Sequence, residues 1–250
     1  METQFCNSRH GYQIPFLSTW QGEKQVVLIC HGFGSSKESS TGLGLMKVLA
    51  TKGIGAIAFD FPAHGESTLD GESLLVENCL DDVADMEKWV LDQSPATTIS
   101  YFGSSFGAYI VLLYLTTVPA GRKACLRSAA VEMPRLFAEE LTPDRQGLLD
   151  QQGYFLLEEA GSILKITTGF IRSLNAHNLY AYYRPNQADL LMLHGEADAV
   201  APLADAVHFA DYAGAKLYVF PGGEHRLMAP GQPEIVCEQA VAFFSAKDTK

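Results

Sequence analysis

The chain has 250 residues, of which 47% are hydrophobic and 19% are charged. This length and composition are typical of a globular protein with about one large α/β domain and a sizeable core. The formal net charge of −11 at pH 7 argues against nucleic acid or an anionic membrane as a partner, because binding to phosphates depends on clustered Lys and Arg.

The cysteines and the N-terminus favour a reducing compartment. No two cysteines have Cys-x-x-Cys spacing, and their odd number indicates no disulfide framework. The first residues lack the basic and then apolar segments of a signal peptide, and no apolar run approaches membrane-spanning length. We therefore expect a soluble, cytoplasmic protein. The cysteines are Cys6, Cys30, Cys79, Cys125 and Cys237.

The first part of the chain alternates between strand and helix patterns. A strand at 12–20 belongs to a predicted N-terminal hairpin, and 26–30 is a short apolar run typical of a buried parallel strand. A helix is predicted at 41–52, a strand at 54–59 and an amphipathic helix at 75–91. This alternation indicates a mostly parallel sheet with helices on both faces.

The helix predicted at 75–91 carries several acidic residues. We interpret them as a face exposed to solvent rather than as a metal site. They include Asp81, Asp82, Asp85 and Glu87.

The rest of the chain continues the alternation on either side of an irregular stretch. The predicted elements are strands at 97–102, 126–131, 190–193 and 216–220, and helices at 108–115, 203–213 and 232–246. We expect an α/β fold with two core segments, 1–132 and 187–250.

Residues 133–186 interrupt the alternation. A short helix is predicted at 144–151, followed by a hairpin with strands at 154–157 and 163–167. We interpret 133–186 as a small cap inserted over the carboxyl ends of the strands. The alternative is a surface elaboration with no role in binding.

The segment Gly103-Ser104-Ser105-Phe106-Gly107 lies between a predicted strand and a predicted helix. A Gly-x-Ser-x-Gly frame in that context is typical of a nucleophile elbow, whose central residue has a strained backbone and needs small neighbours two positions away. Only Ser105 has glycine at both of those positions. Ser105 is therefore the candidate nucleophile.

An acid and a base follow two later strands. Asp198 comes just after the strand predicted at 190–193, and His225 comes just after the strand at 216–220. A serine hydroxyl needs a neighbouring base, and that base needs an acid to orient it. We therefore expect His225 to accept the Ser105 proton and Asp198 to hold the imidazole. Singly, Asp198 reads as a turn residue and His225 as a surface residue, but their common placement favours the catalytic interpretation.

A glycine-rich turn follows the strand at 26–30. It contains His31, and we predict that the backbone N–H groups of Phe33 and Phe106 form an oxyanion hole. We interpret His31 as a structural residue that holds this loop by hydrogen bonds.

Asp60, His64 and Glu66 also suggest a metal site. A tight turn after the strand at 54–59 explains them better, because no second ligand cluster accompanies them. No metal or organic cofactor is expected.

With these residues in place, the chain resembles the α/β-hydrolase superfamily over nearly its whole length. The size and the short cap are similar to those of small bacterial carboxylesterases, including the feruloyl or cinnamoyl esterase type, and of the related serine aminopeptidase group. The resemblance implies a Ser105–His225–Asp198 triad with oxyanion donors at Phe33 and Phe106. The matching segments are 31–34, 60–67, 103–107, 194–198 and 224–225.

We expect a cofactor-independent serine hydrolase that cleaves a carboxylic ester of a small or aromatic substrate through an acyl-enzyme. The alternatives are amide or thioester hydrolysis on the same triad, or a non-catalytic binding protein. A peptidase acting from the amino end needs an anionic group for the substrate ammonium. The cap offers Glu139, Glu140, Glu158 and Glu159 for that role, although exposed carboxylates explain them more simply.

Aromatic residues in or beside the cap suggest an apolar substrate group, but they fit the core of the cap equally well. They are Phe137, Phe155, Tyr180 and Tyr182, in addition to Phe33 and Phe106 beside the candidate nucleophile.

Overall fold

The computed structural model describes residues 1–95 and 97–246. The last residues of the predicted core, 247–250, lie outside the described residues. The strands in chain order are β1 (Gln4–Asn7), β2 (Gln13–Ser18), β3 (Gln25–Cys30), β4 (Gly55–Phe59), β5 (Thr98–Ser104), β6 (Arg122–Arg127), β7 (Tyr154–Glu159), β8 (Ser162–Thr167), β9 (Ala188–Gly195) and β10 (Lys216–Phe220). The helices are α1 (Ser40–Ala50), α2 (Val76–Gln93), α3 (Phe106–Leu115), α4 (Met133–Glu139), α5 (Pro143–Gln152), α6 (Thr168–Ala176), α7 (Leu179–Tyr182), α8 (Leu203–Ala213) and α9 (Gln232–Ser245).

Within these residues, eight strands form one sheet in the order β1-β2-β4-β3-β5-β6-β9-β10. The pairs from β4 through β10 are parallel, and β1 and β2 join antiparallel at one edge. The predicted α/β fold with a mostly parallel sheet is therefore confirmed. The carboxyl ends of β3, β5, β9 and β10 lie at the same edge, which brings the loops after them together.

Helices cover both faces of the sheet. Leu45, Met46 and Leu49 of α1 pack with α9 on one face, whereas α2, α3 and α8 contribute to the larger core on the other. Every residue of α3 is buried, as expected for a helix that is apolar all round. Among the described residues, no helix combines the length and apolar character needed to cross a membrane.

The segment between β6 and β9 contains α4 to α7 and the two-stranded sheet of β7 and β8. The predicted short helix and hairpin are confirmed as α5 and as the antiparallel pair of β7 and β8. Helices α4, α6 and α7 were not predicted. Gly34 shows how closely this segment approaches the core, because a Cβ there would lie 2.5 Å from the carbonyl oxygen of Glu159.

The interpretation of the acidic residues of α2 as a solvent-exposed face is wrong for three of them. Asp82, Asp85 and Glu87 are buried, and each has a partner that sequence spacing does not reveal. Arg9 binds Asp85, and the hydroxyl of Tyr12 donates to Asp82.

Glu87 accepts hydrogen bonds from the hydroxyls of Tyr101 and Tyr114 and forms an ion pair with Arg122. Buried carboxylates are tolerated where hydrogen bonds and opposite charges compensate the lost hydration. The acidic stripe of α2 therefore faces the protein rather than water.

Strand β6 lies earlier in the chain than the predicted 126–131. Its first residue, Arg122, is charged, but its guanidinium reaches Glu87 at the end of the sheet. Ser128 then has φ +49°, which turns the chain out of the strand. The apolar residues after that turn cover the elbow instead, and the Ala130 N–H lies 3.4 Å from the Ser105 carbonyl oxygen.

Candidate active site

Ser105 lies at the sharp turn between β5 and α3. Its backbone has φ 51° and ψ −112°, in the positive-φ region that side chains rarely adopt. The two flanking glycines leave no room for a side chain. A Cβ at Gly103 would lie 2.6 Å from the Cα of Ala108, and one at Gly107 would lie 2.3 Å from the Cys30 carbonyl oxygen. This packing explains the Gly-x-Ser-x-Gly spacing around Ser105.

The neighbouring Ser104 binds Arg127 through its side chain. Its side chain is buried, and its hydroxyl oxygen accepts a hydrogen bond of 3.0 Å from Arg127 Nε. The register of the turn therefore exposes Ser105 and not Ser104.

His225 connects Ser105 to Asp198. His225 Nε2 lies 2.9 Å from Ser105 Oγ, and Nδ1 lies 2.8 and 3.0 Å from the two carboxylate oxygens of Asp198. An ionised carboxylate only accepts hydrogen bonds, so Nδ1 carries the proton in the neutral ring and Nε2 is free to accept from the serine hydroxyl. The structure thus brings all three predicted side chains into one hydrogen-bonded chain.

Asp198 is buried and fully engaged. One of its oxygens accepts the backbone N–H groups of Val200 and Ala201 at 2.9 and 2.8 Å. Burial alone would raise the pKa of this carboxyl, but hydrogen bonds from His194 and His225 outweigh burial and hold the pKa well below its ordinary value. Asp198 is therefore ionised, the state that keeps the His225 proton on Nδ1.

The loops that carry Asp198 and His225 bind each other. The Ala197 N–H donates 2.8 Å to the Gly223 carbonyl oxygen. A Cβ at Gly195 would lie 2.3 Å from that same oxygen, so the close approach depends on glycine. Because β9 and β10 are adjacent and parallel, this contact holds Asp198 and His225 at the same edge of the sheet.

The predicted oxyanion donors lie on two loops that meet beside Ser105. A Cβ at Gly32 would lie 3.6 Å from Ser105 Cβ, and the rings of Phe33 and Phe106 have centroids 5.3 Å apart. Phe106 is the first residue of α3, where helix N–H groups have no partner within the helix. Within the described part of the chain, neither the Phe33 nor the Phe106 N–H donates a hydrogen bond. Both amides are thus available to a negatively charged oxygen.

His31 stabilises the loop after β3 through hydrogen bonds to backbone groups. It is buried, its Nδ1 donates 2.8 Å to the Gly32 carbonyl oxygen, and its Nε2 accepts the Phe61 N–H at 3.1 Å. Burial lowers the pKa of His31 to about 4, so the ring is neutral at pH 7. These contacts agree with the expected structural role.

Asp60, His64 and Glu66 form a tight turn after β4. The Asp60 carboxylate accepts the N–H groups of Lys37 and Glu66 at 2.6 and 2.9 Å and pairs with Lys37 Nζ at 3.0 Å. A Cβ at Gly65 would lie 2.3 Å from the same carboxylate. In residues 1–95 and 97–246, no group of three His, Cys, Asp or Glu side chains is arranged to hold a metal ion.

Aromatic side chains link the loop after β3, which contains Phe33, to the segment between β6 and β9. The ring of Phe33 lies 5.9 Å from that of Phe137 and 5.5 Å from that of Phe170. Phe137 and Phe170 are buried, whereas Phe33 is half-buried. The interpretation as packed core therefore fits Phe137, and Phe155 is buried as well.

The two tyrosines lie away from that cluster. Tyr180 stacks on His208 with ring centroids 5.5 Å apart, and Tyr182 is exposed.

A cavity of about 340 Å³ lies at the start of α4. Val131, one of its lining residues, follows Ala130 directly, and the Ala130 N–H contacts the Ser105 backbone. Glu132 also lines it, and burial raises the pKa of that carboxyl. The full lining is Val131, Glu132, Pro134, Arg135, Ala138, Asn175, Asn178 and Leu179.

Sequence reasoning missed three polar residues close to this site. His194, at the end of β9, is buried with its Nε2 3.3 Å from Asp198 Oδ2. Arg127 and Ser128 contact the backbone of the His225 loop. Their position at or just after the carboxyl ends of strands could have identified them in the sequence, because the other candidate residues also follow strand ends.

Comparison with known proteins gives a consistent picture. A family model described as alpha/beta hydrolase fold matches residues 25–158. No curated protein matches the chain significantly.

Solved structures resemble the chain over nearly its whole length. A putative hydrolase from Agrobacterium vitis S4 has a TM-score of 0.83 at 21% identity, covering 97% of this chain and 98% of its own. Est1E from Butyrivibrio proteoclasticus, solved with bound ferulic acid, has a TM-score of 0.78 at 19% identity and covers 96% and 97%. A monoacylglycerol lipase from Paleococcus ferrophilus has a TM-score of 0.71 at 18% identity and covers 97% and 98%. At these identities the likeness shows the fold.

The family match spans more than half of the chain, from β3 through β7, and the structural likeness extends over both ends. The chain belongs to the alpha/beta hydrolase fold family.

Proposed function

We propose that the protein is a serine hydrolase that cleaves carboxylic esters through an acyl-enzyme. The observation that carries this proposal is the hydrogen-bonded chain from Ser105 Oγ to His225 Nε2, 2.9 Å, and from His225 Nδ1 to Asp198, 2.8 Å. Serine is a weak nucleophile at neutral pH, and such a chain is the arrangement that activates it.

In the proposed acylation step, Ser105 Oγ attacks the ester carbonyl carbon while His225 Nε2 takes the hydroxyl proton. Asp198 stabilises the resulting imidazolium. The carbonyl oxygen becomes an anion that the N–H groups of Phe33 and Phe106 stabilise. Collapse of the tetrahedral intermediate breaks the bond to the alcohol oxygen, and His225 gives its proton to the departing alcohol.

Deacylation repeats these roles with water. His225 takes a proton from a water molecule, whose oxygen attacks the acyl carbon. The second tetrahedral intermediate expels Ser105 Oγ, which recovers its proton from His225. The products are a carboxylic acid and the free enzyme, and the cycle needs no metal or organic cofactor.

We propose a small ester, with an aromatic or short acyl group, as the substrate class. The half-buried Phe33 offers an apolar surface beside the elbow. The structural likeness to Est1E, whose solved complex contains ferulic acid, is consistent with that class.

The peptidase alternative has less support. The four cap carboxylates considered for binding a substrate ammonium are all exposed, and two of them already pair with arginines. Glu139 pairs with Arg135, and Glu140 pairs with Arg145. The same proposed machinery also fits thioester hydrolysis, since the attacking and stabilising groups are identical.

Hydrolysis of p-nitrophenyl esters of increasing acyl length tests the proposal. We expect turnover that favours short acyl chains and falls by about 10³-fold or more in Ser105→Ala. Ser100→Ala is a matched control, since Ser100 is a buried serine of β5, the strand that precedes Ser105.

Two other outcomes count against this reading. Faster turnover of aminoacyl naphthylamides than of esters would favour the peptidase. Unchanged ester turnover in Ser105→Ala would remove the serine from the reaction.

A further inference from the structure

Arg127 and Ser128 lie at the carboxyl end of β6, between β5, which precedes Ser105, and β9, which precedes Asp198. The Arg127 carbonyl oxygen accepts the Ser105 N–H at 2.9 Å, and the Ser128 N–H donates 2.8 Å to the Leu193 carbonyl oxygen. The backbone of this dipeptide is therefore tied to the elbow on one side and to β9 on the other.

The side chains of the same dipeptide bind the loop that carries the base. Ser128 Oγ donates 2.7 Å to the His225 carbonyl oxygen. The guanidinium of Arg127 donates to the next carbonyl oxygen, that of Arg226. The side chains of Ser128 and Arg127 thus bind the carbonyl oxygens of His225 and Arg226. Residues 127–128 therefore connect the backbone of Ser105 to the backbone of His225.

Ser128 combines a buried side chain with an unusual backbone conformation. Its side chain is fully buried and its φ is +49°, a region where most side chains are strained. That conformation aims the hydroxyl at the His225 carbonyl instead of continuing β6. Non-glycine residues with such φ values cluster at functional sites.

Within the described residues, Arg127 forms no hydrogen bond with a carboxylate, although the charge of Asp198 acts on it from a longer distance. Its guanidinium is instead committed to neutral oxygens, those of Ser104 Oγ and the Arg226 carbonyl. Burial, and then the nearby charge of Arg226, lower the pKa of Arg127 to about 10 against the opposing effect of Asp198, so Arg127 remains a cation at pH 7. A charged donor makes a stronger hydrogen bond to a carbonyl than a neutral one does.

We propose that Arg127 and Ser128 are positioning residues that hold His225 Nε2 at hydrogen-bond distance from Ser105 Oγ. The inference rests on the proposed function. His225 follows β10 in a loop and is half-buried, so its ring needs backbone support. Proton transfer depends steeply on that geometry, and a displacement of about 1 Å costs roughly 100-fold in rate.

Ser128→Ala tests the inference, because it removes the hydroxyl that binds the His225 carbonyl and keeps the Cβ at this position. We expect kcat for a p-nitrophenyl ester to fall by roughly 10- to 100-fold with KM within about twofold. Arg127→Met is a second variant that leaves Ser128 intact, and we expect it to lower kcat as well. Arg127→Lys keeps the positive charge, and we expect its kcat to lie between those of Arg127→Met and wild type. Tyr114→Phe, which removes a buried hydrogen bond to Glu87, is the control and should keep the wild-type kcat.

A double-mutant cycle separates positioning from general weakening of the fold. Combined with His225→Ala, the Ser128→Ala change should have no further effect on residual turnover, because the group that it positions is gone. An equal loss in both backgrounds would overturn the inference, as would wild-type kcat in folded Ser128→Ala and Arg127→Met. Wild-type protein that neither turns over esters nor reacts with a fluorophosphonate would instead refute the proposed function itself.

Discussion

We predict that the buried His64 makes the stability of the fold sensitive to acid. Its ring is 3% exposed and packs against His31 and Phe33, with centroids 5.1 and 5.5 Å away. Nδ1 donates 2.8 Å to the Pro62 carbonyl oxygen, whereas Nε2 is buried without a partner in the described residues. Burial, and then the neighbouring His31, lower the pKa of His64 to about 3. A proton on Nε2 would place an unpaired charge beside the loop that contains His31 and Phe33.

The sign and size of the effect follow from proton linkage. An unfolded chain takes up a proton on this histidine near pH 6.5, but the folded chain does so only near pH 3. The stability from the neutral ring is therefore complete above pH 6.5 and is lost as the pH falls. The free energy of unfolding should fall by about 1.4 kcal/mol per pH unit in that interval, and by at most about 5 kcal/mol in total.

Urea unfolding at several pH values between about 7.5 and 4.5 measures this dependence. We compare wild type with His64→Gln, because the titrations of all other groups are shared and cancel in the difference. The slope of unfolding free energy against pH should be smaller in the variant by about 1.4 kcal/mol per unit. His208→Gln is the control, since the His208 ring is exposed. Equal slopes for wild type and His64→Gln would refute the reasoning.

Further predictions concern a buried acid, the proposed triad and two glycines. Burial raises the pKa of Asp82 to about 8, so wild type should lose stability as the pH rises from 4 to 8, whereas Asp82→Asn should not. In urea unfolding, the free energy of unfolding of Asp82→Asn relative to wild type should therefore increase by about 1.4 kcal/mol for each pH unit. Asp198→Asn should lower kcat for esters by about 10³- to 10⁴-fold, because the amide no longer fixes the His225 proton on Nδ1. It should also lower the free energy of unfolding at neutral pH, because the lowered pKa of Asp198 means that the folded state favours the ionised carboxylate. Gly107→Ala forces a Cβ to 2.3 Å from a β3 carbonyl oxygen and should cost about 3 kcal/mol or more. Gly147→Ala, in helix α5 with no atom within 4 Å of the new Cβ, should instead gain about 0.5 to 1 kcal/mol, and equal effects of the two glycine changes would contradict the packing argument.

The elements that carry the candidate site were predictable because local pattern marks them. Strand β10 has the predicted bounds, and β3 and β4 agree to within a residue of theirs. Apolar runs that end in glycine and polar residues identify the carboxyl ends of buried parallel strands. Ser105, Asp198 and His225 each follow such a run, so their approach follows from the topology of the sheet.

Contacts between distant parts of the chain were not predictable. The hydroxyl of Ser128 reaches a carbonyl 97 residues away, and nothing in the local sequence indicates that partner. The same limit explains the error on α2, because Arg9 and Tyr12 lie more than 60 residues from the carboxylates that they bind. Helical periodicity identified α2 but not which polar residues face the sheet.

The segment between β6 and β9 was predicted only in part. Its hairpin flanks Ala160 and Gly161, both at positive φ, which a Gly-containing turn predicts well. Helices α4 and α7 span 7 and 4 residues, too short for a helical period to stand out. Their packing on Phe33 and Phe209, rather than their own propensity, stabilises them.

Covalent labelling with a fluorophosphonate, followed by peptide mapping with mass spectrometry, tests the central claim most directly. The reagent reports whether a serine oxygen is activated, because that oxygen must displace fluoride from phosphorus. We predict one adduct, on the peptide that contains Ser105, with no adduct in Ser105→Ala and much slower labelling in His225→Ala. Labelling of another residue, or a folded wild-type protein that does not react, would contradict the proposed relay of Ser105, His225 and Asp198.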